Sequence, residues 1–280
     1  MEMKMRTAVA YGQSKEAGIY ALASVVNALA AEGIKTPVVQ VRILIPEYAF
    51  KSRMHTMEKM MKQVCQERKI TLQDVQCERN NVISQTMVVA TGSGLAEKKK
   101  PEVKGTDVVL TGWIGMEGML RILSEKEKEL KNRFSTGFLK QIESHKTEIF
   151  AEKEIAFAKE QGGTLIRQVG EGGIFAALWN LAKEMERGIE VDLKKIPVLQ
   201  ETIEVCEFFR LNPYQLTSAG TMLIVAEDGE KLTDQLNQQG ISAAVIGTLT
   251  DSNDKILKNG EEVRYIDRPA PDEIMKIFET

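Results

Sequence analysis

The sequence GTDVVLTGWIGMEG at residues 105–118 and, further on, GEGGIFAALWNLA at residues 170–182 decide the fold of this chain. In the first stretch, Asp107–Thr111 has the apolar character of a buried strand, and three glycines then lead into a helix predicted to begin near Met119. In the second stretch, glycines stand between a short predicted strand and a helix predicted over residues 175–186. The repeated succession of strand, glycine turn and helix predicts a layered α/β or α+β domain.

The residues before this stretch alternate between helix and strand periodicities. Apolar residues recur at helical spacing across residues 14–33, and alternation over residues 39–45 predicts a strand that Pro46 ends. A methionine-rich helical stripe and two further extended segments complete a predicted order β-α-β-α-β-β. The charged segment EKKKPEVKG, residues 97–105, has no apolar periodicity, so we predict two domains, residues 1–104 and 105–280. We interpret the charged residues 124–133 as a solvated helix face.

Further elements follow the second glycine turn. Periodicity predicts helices over residues 200–209 and 231–239 and strands over residues 221–226 and 243–249. The dipeptide Asn259-Gly260 between apolar residues predicts a tight hairpin.

Composition excludes several classes of protein. With 43% hydrophobic and 28% charged residues, the chain can form a core, so disorder is excluded. Lys and Arg number 37 against 40 Asp and Glu, a net charge of −3, which argues against a nucleic-acid partner. The three cysteines form no CxxC pair, and no segment approaches the roughly 20 apolar residues of a membrane span. We therefore expect a cytoplasmic protein that does not insert in a membrane.

Three passages in this order resemble the aminoimidazole ribonucleotide (AIR) synthetase superfamily, or PurM-like proteins, which includes thiamine-monophosphate kinase and selenophosphate synthetase. The first is ASVVNALAAEGIKTPVV at residues 23–39, and the others are the two glycine-containing stretches quoted above. SAGTMLIVAE from Ser218 and AAVIGTLT from Ala243 extend the similarity. Within the superfamily, the chain is most similar to AIR-synthase-related proteins that resemble the hydrogenase-maturation dehydratase.

The resemblance implies a fold and a set of ligands. It implies a PurM-like two-domain architecture, with an amino-terminal sheet-and-helix domain, shortened at its start, and a carboxy-terminal α+β domain. It also implies a homodimer formed through the amino-terminal sheet, and ATP and magnesium as ligands.

Departures from the family pattern weaken the implied magnesium site. Where the family has an Asn-Asp pair, this chain has Asn27 followed by Ala28, so a carboxylate is replaced by a methyl group. The next site strand of the family corresponds to Gln76-Cys77-Glu78-Arg79, in which only Glu78 is a candidate ligand. Asp107 is a further weak candidate for a metal ligand. The family's first strand ends in an aspartate, and we expect this chain to start too late to contain it.

The glycine turn at Gly170, Glu171, Gly172 and Gly173 has two interpretations. Backbone N–H groups at a helix start favour an anion, so these residues and Asn27 are candidates for binding phosphate or a nucleotide. Alternatively, the glycines only permit a sharp turn between strand and helix.

Three functions remain open from the sequence. The first is a dimeric ligand-binding or regulatory module that has lost ATP chemistry. The second is an ATP-dependent enzyme in which Glu78, Glu171 and Asp107 replace the missing ligands. The third is an assembly factor that acts through contacts with another protein. Missing carboxylates favour the module, and the retained Glu-Gly-Gly turn keeps the enzyme open.

Overall fold

The computed structural model describes residues 1–98 and 102–278, and the chain forms two compact units. The first unit comprises Met1–Lys99 and Leu120–Gln141, and the second comprises Lys100–Met119 and Ile142–Thr280. The grouping of residues 120–141 with the amino-terminal residues has no local sequence signal, because it depends on contacts between distant parts of the chain. The domain boundary between residues 104 and 105 stays a prediction.

A four-stranded mixed sheet forms the first unit. Its strands, in the order β1-β4-β2-β3, are β1 (Glu2–Tyr11), β2 (Val38–Pro46), β3 (Thr71–Asn80) and β4 (Met87–Ala96). Strand β4 is antiparallel to β1 and β2, whereas β2 and β3 are parallel. Helix α1 (Ala17–Ala31) connects β1 to β2, and α2 (Lys51–Arg68) connects β2 to β3. This order confirms the predicted β-α-β-α-β-β arrangement, with β1 ending at Tyr11 rather than at an aspartate.

Helices α1 and α2 cover one face of this sheet. On that face a Cβ built on Gly92 of β4 would lie 2.5 Å from Val25 of α1, so the glycine permits close packing of helix on sheet. Alternate residues of β2 are at most 3% exposed, namely Val39, Val41, Ile43 and Ile45. On the other face, Met3 lies directly opposite Leu95, and their side chains are 64% and 55% exposed.

The second unit contains a seven-stranded sheet. Its strands, in the order β11-β10-β7-β9-β5-β8-β6, are β5 (Asp107–Thr111), β6 (Leu165–Gly170), β7 (Gly188–Asp192), β8 (Ser218–Ala226), β9 (Ala243–Thr250), β10 (Lys255–Asn259) and β11 (Glu262–Tyr265). Strand β8 is buried along its whole length and pairs on both sides, with β5 and with the edge strand β6. The pairing of β10 with β11 confirms the predicted hairpin, in which Gly260 has φ +66°. Both sheets carry helices, in agreement with the predicted α+β class.

The helices after β5 complete the chain. They are α3 (Met116–Glu125), α4 (Glu127–Arg133), α5 (Thr136–Ser144), α6 (Glu152–Glu160), α7 (Gly173–Met185), α8 (Gln200–Phe209) and α9 (Gly229–Gln238). Helix α3 begins at Met116, three residues before the predicted start, so Gly118 lies inside the helix and not in the turn before it. Glycine permits close packing at this position, because a Cβ there would lie 2.3 Å from Leu216. The interpretation of residues 124–133 as a solvated face was wrong at Leu130, which is fully buried.

Among the described residues, no helix has both the length and the apolar character needed to cross a bilayer.

The Glu125 carboxylate at the end of α3 anchors the loop between β1 and α1. Its two oxygens accept hydrogen bonds from the backbone N–H groups of Gln13 and Ser14, each 2.7 Å long. Gly12 has φ +144°, and a Cβ there would lie 2.2 Å from the carboxylate, so glycine is required for this approach. The anchor joins residues more than 100 positions apart within the first unit.

Replacing Glu125 by Ala is expected to lower the free energy of unfolding by about 1–3 kcal/mol, because two partly buried N–H groups lose their acceptor. Urea denaturation of the full chain measures this change. The matched control is Glu127→Ala, since Glu127 is an exposed residue of α4. Equal stability of the Glu125→Ala and Glu127→Ala proteins would contradict an anchoring role.

Candidate ligand-binding site

The glycine turn lies between β6 and α7 in the second unit. Gly170, Gly172 and Gly173 have φ values of +60°, +77° and +66°, which side chains with a Cβ rarely adopt. A Cβ on Gly173 would also lie 2.5 Å from the carbonyl oxygen of Tyr214. The glycines are therefore needed for the turn and for close packing, while Glu171 at its tip is exposed.

A buried carboxylate from the carboxy-terminal segment binds this turn. Asp272 is 4% exposed, and its Oδ2 accepts a 2.7 Å hydrogen bond from the N–H of Gly172. Its Oδ1 accepts from the N–H groups of Thr217 at 3.1 Å and Ile274 at 2.9 Å. An external anion that used the Gly172 N–H would therefore have to displace Asp272.

A second buried carboxylate lies close to the first. Glu117 of α3 is 3% exposed and accepts from Thr217 Oγ1 at 2.6 Å and from the Ala219 N–H at 2.8 Å. Burial raises the pKa of Asp272 to about 6. The negative charge of Glu117 also raises this pKa. The three hydrogen bonds that Asp272 accepts from backbone N–H groups lower it and so oppose the rise. Nothing in the sequence pattern marked either residue, although Asp272 also caps the short 3₁₀ helix Glu273–Ile277.

A cavity of about 260 Å³ opens beside the turn. Its lining includes one glycine of the turn, two aromatic residues, two amides and two arginines, namely Gly172, Phe175, Tyr265, Asn212, Gln215, Arg264 and Arg268. The Phe175 ring stacks on Tyr214, with ring centroids 5.3 Å apart and planes inclined by 7°. Glu273, next to Asp272, accepts from the N–H of Asn212 at 3.1 Å, so the carboxy-terminal segment fixes two parts of the wall.

The other predicted site residues have different surroundings. Asn27 is fully buried within α1. Glu78 forms an exposed ion pair with Arg42, N to O 3.2 Å. Asp107 accepts from the N–H of Gly229 at 2.8 Å and so caps the start of α9. Among residues 1–98 and 102–278, no cluster of three His, Cys, Asp or Glu side chains is arranged to hold a metal ion. Glu78 and Asp107, the two candidate metal ligands, lie on strands of different sheets, β3 and β5, and each has its own partner.

The raised pKa of Asp272 predicts a pH dependence of stability. A group with a pKa of 3.8 unfolded and about 6 folded binds its proton more tightly in the folded state. Its contribution to the free energy of unfolding is therefore greatest below pH 4 and falls by about 3 kcal/mol as pH rises through 6.

Urea denaturation from pH 4 to pH 8 measures this contribution as the stability difference between the native protein and the Asp272→Asn variant. We expect that difference to shift in favour of the variant as pH rises, because only the native residue acquires a buried charge. The control is Asp234→Asn, at an exposed position of α9. A difference that stays constant across pH for Asp272→Asn would contradict the raised pKa.

Comparisons with known proteins agree with this architecture. The family model "AIR synthase related protein, C-terminal domain" matches residues 103–258, more than half of the chain. A protein of Methanocaldococcus jannaschii named for hydrogenase expression or formation is 23% identical over 272 residues, covering 93% of this chain and 78% of that protein.

Solved structures show the same fold. Escherichia coli HypE superposes with a TM-score of 0.79 at 16% identity, covering 99% of this chain and 88% of HypE. The hydrogenase maturation protein HypE in complex with ATP gives a TM-score of 0.74 at 15% identity, covering 99% of this chain and 87% of that protein. The chain has a PurM-superfamily, HypE-like fold and belongs to the AIR synthase related protein family.

Proposed function

We propose that this chain is a small-ligand-binding or regulatory module of the HypE-like, AIR-synthase-related family, with a degenerate ATP and magnesium site. The observation that carries the proposal is that two of its candidate metal ligands, Asp107 and Glu78, are engaged elsewhere. Asp107 caps a helix, Glu78 pairs with Arg42, and Ala28 follows Asn27 where the family has an aspartate. Transfer of a phosphoryl group needs a metal clamp to neutralise developing charge, and these residues do not provide one.

The ATP-dependent enzyme is the competing function. One HypE structure contains ATP, and this chain shares its fold at 15% identity. That similarity extends to backbone architecture, whereas phosphoryl chemistry depends on individual carboxylates. We therefore favour ligand binding without hydrolysis.

Magnesium-dependent ATP hydrolysis is expected to be absent in the purified protein. Replacing Ala28 by Asp is expected to produce magnesium-dependent ATP binding, because it restores a carboxylate next to Asn27. Isothermal titration calorimetry with ATP in the presence and absence of magnesium measures the gain. The control is Ala30→Asp, another half-buried alanine of α1. If the unmodified protein hydrolyses ATP and the Glu78→Gln variant does not, the ATP and magnesium site is intact and the proposal is wrong.

We also propose that the module is a homodimer formed through the first sheet. Helices cover one face of that sheet, and the opposite face exposes Met3, Met5 and Leu95 at 64%, 61% and 55%. Exposed apolar side chains that form a patch on a sheet face are stabilised by burial against another surface, and a second copy presents the same patch. Val39, Val41, Ile43 and Ile45 of β2 would then lie beneath the interface, on the helix-covered side of the same sheet.

Light scattering at micromolar concentration is expected to give twice the 31.3 kDa mass of one chain. Met5→Lys is expected to shift the mass toward that of the monomer, because it places a charge in the apolar face. Val82→Lys serves as the control, since Val82 is 87% exposed and lies outside the strands. A monomer mass for the unmodified protein would exclude the dimer.

A further inference from the structure

The lining of the cavity beside the glycine turn carries a net positive charge. Arg264 and Arg268 line it, and neither forms an ion pair or side-chain hydrogen bond within residues 1–98 and 102–278. Asp267 also lines the cavity, so the wall carries two positive charges and one negative charge. Two arginines in the lining of one cavity can supply the paired N–H donors from which phosphate and carboxylate groups accept hydrogen bonds.

The wall of this cavity also offers a flat apolar surface and a polar amide. Phe175 is held in place by its stacking on Tyr214, so its ring is a fixed platform for a planar group. The Gln215 Oε1 accepts from Asn212 Nδ2 at 3.2 Å, which orients the Gln215 amide. No described residue accepts from Gln215 Nε2, which leaves a donor for a ring nitrogen or carbonyl oxygen.

The volume of the cavity and the hydrogen bond between Asp272 and the turn limit the size of the ligand and the groups that can bind it. At about 260 Å³ it lies just below the roughly 300–1,000 Å³ of typical ligand pockets, so it suits a small molecule. Because Asp272 accepts from Gly172, the turn does not offer that N–H to an anion. Arg264 and Arg268 are therefore the groups of this cavity that are available to an anion.

We infer that this cavity binds a small heteroaromatic compound that carries a phosphate or carboxylate group. Arg264 and Arg268 hold the anionic group, and the ring lies against Phe175 with its polar edge toward Gln215. This inference rests on the proposed ligand-binding function and names the chemical class of the ligand.

Calorimetric titration of the full chain with AMP, adenosine, inorganic phosphate and nicotinate tests the inference. AMP combines ring and phosphate, nicotinate combines ring and carboxylate, and the other two probes each lack one feature. Saturable binding of AMP or nicotinate, at least about tenfold tighter than adenosine and phosphate, is expected. The stronger of the two identifies the anionic group.

Variants locate the binding. Arg264→Ala and Arg268→Ala are each expected to weaken the better probe by about tenfold or more, because each removes a charge-assisted contact. Both side chains are exposed, so the fold is retained, and Arg133→Ala is the control with the same charge change at an exposed position of α4. Phe175→Leu is expected to weaken AMP or nicotinate without changing the weak response to phosphate.

Two results would overturn the inference. The first is the absence of saturable binding of all ring-containing anions at millimolar concentration. The second is unchanged affinity in the Arg264→Ala, Arg268→Ala double variant, which would place the ligand elsewhere. Neither result bears on whether the chain has lost ATP chemistry. The Ala28→Asp titration and the ATP turnover assay test that question separately.

Discussion

The hydrogen bonds of the buried Asp272 carboxylate are the interactions on which the candidate site of the second unit depends. Burial of a charge is unfavourable unless hydrogen bonds replace the lost water, and here three backbone N–H groups do so. Those groups come from the glycine turn, from the residue before β8 and from the carboxy-terminal segment itself. One side chain therefore joins three segments and fixes the chain that carries Arg268 against the start of α7.

Glu117 extends this arrangement to the first helix after β5. Its carboxylate accepts from Thr217 and Ala219, so Thr217 donates to both buried acids, through its backbone N–H to Asp272 and its hydroxyl to Glu117. Like charges in one buried region raise the free energy of the doubly ionised state, which agrees with the raised pKa of Asp272. Acidic residues of this unit thus act as acceptors for backbone groups, as Asp107 also does at α9.

This use of carboxylates bears on the difference between family membership and activity. The AIR-synthase-related fold is retained over almost the entire chain, because burial of apolar strands and helices tolerates extensive substitution. A magnesium site does not tolerate such substitution, since replacing one carboxylate by a methyl group removes a ligand of the metal. A protein can therefore keep the architecture of a relative whose solved structure contains ATP without keeping each carboxylate of a metal site.

The sequence by itself determined the order of strands and helices before residue 97, most of the strands and helices that follow, and the glycine turn. These features depend on local periodicity and on residues such as glycine, whose backbone preferences act over a few positions. The resemblance also identified the family. By contrast, β7 and α5 were not predicted, because their short patterns are hard to distinguish from loops.

Only the tertiary structure decided which side chains meet. Asp272 and Gly172 are 100 positions apart, and Glu125 and Gln13 are 112 apart, so no local pattern connects them. The candidates chosen by residue type, Glu78 and Asp107, instead have structural partners. A carboxylate has the same local signature whether it binds a metal, pairs with arginine or accepts from a backbone N–H, and its role is set by the groups that folding brings within hydrogen-bond distance.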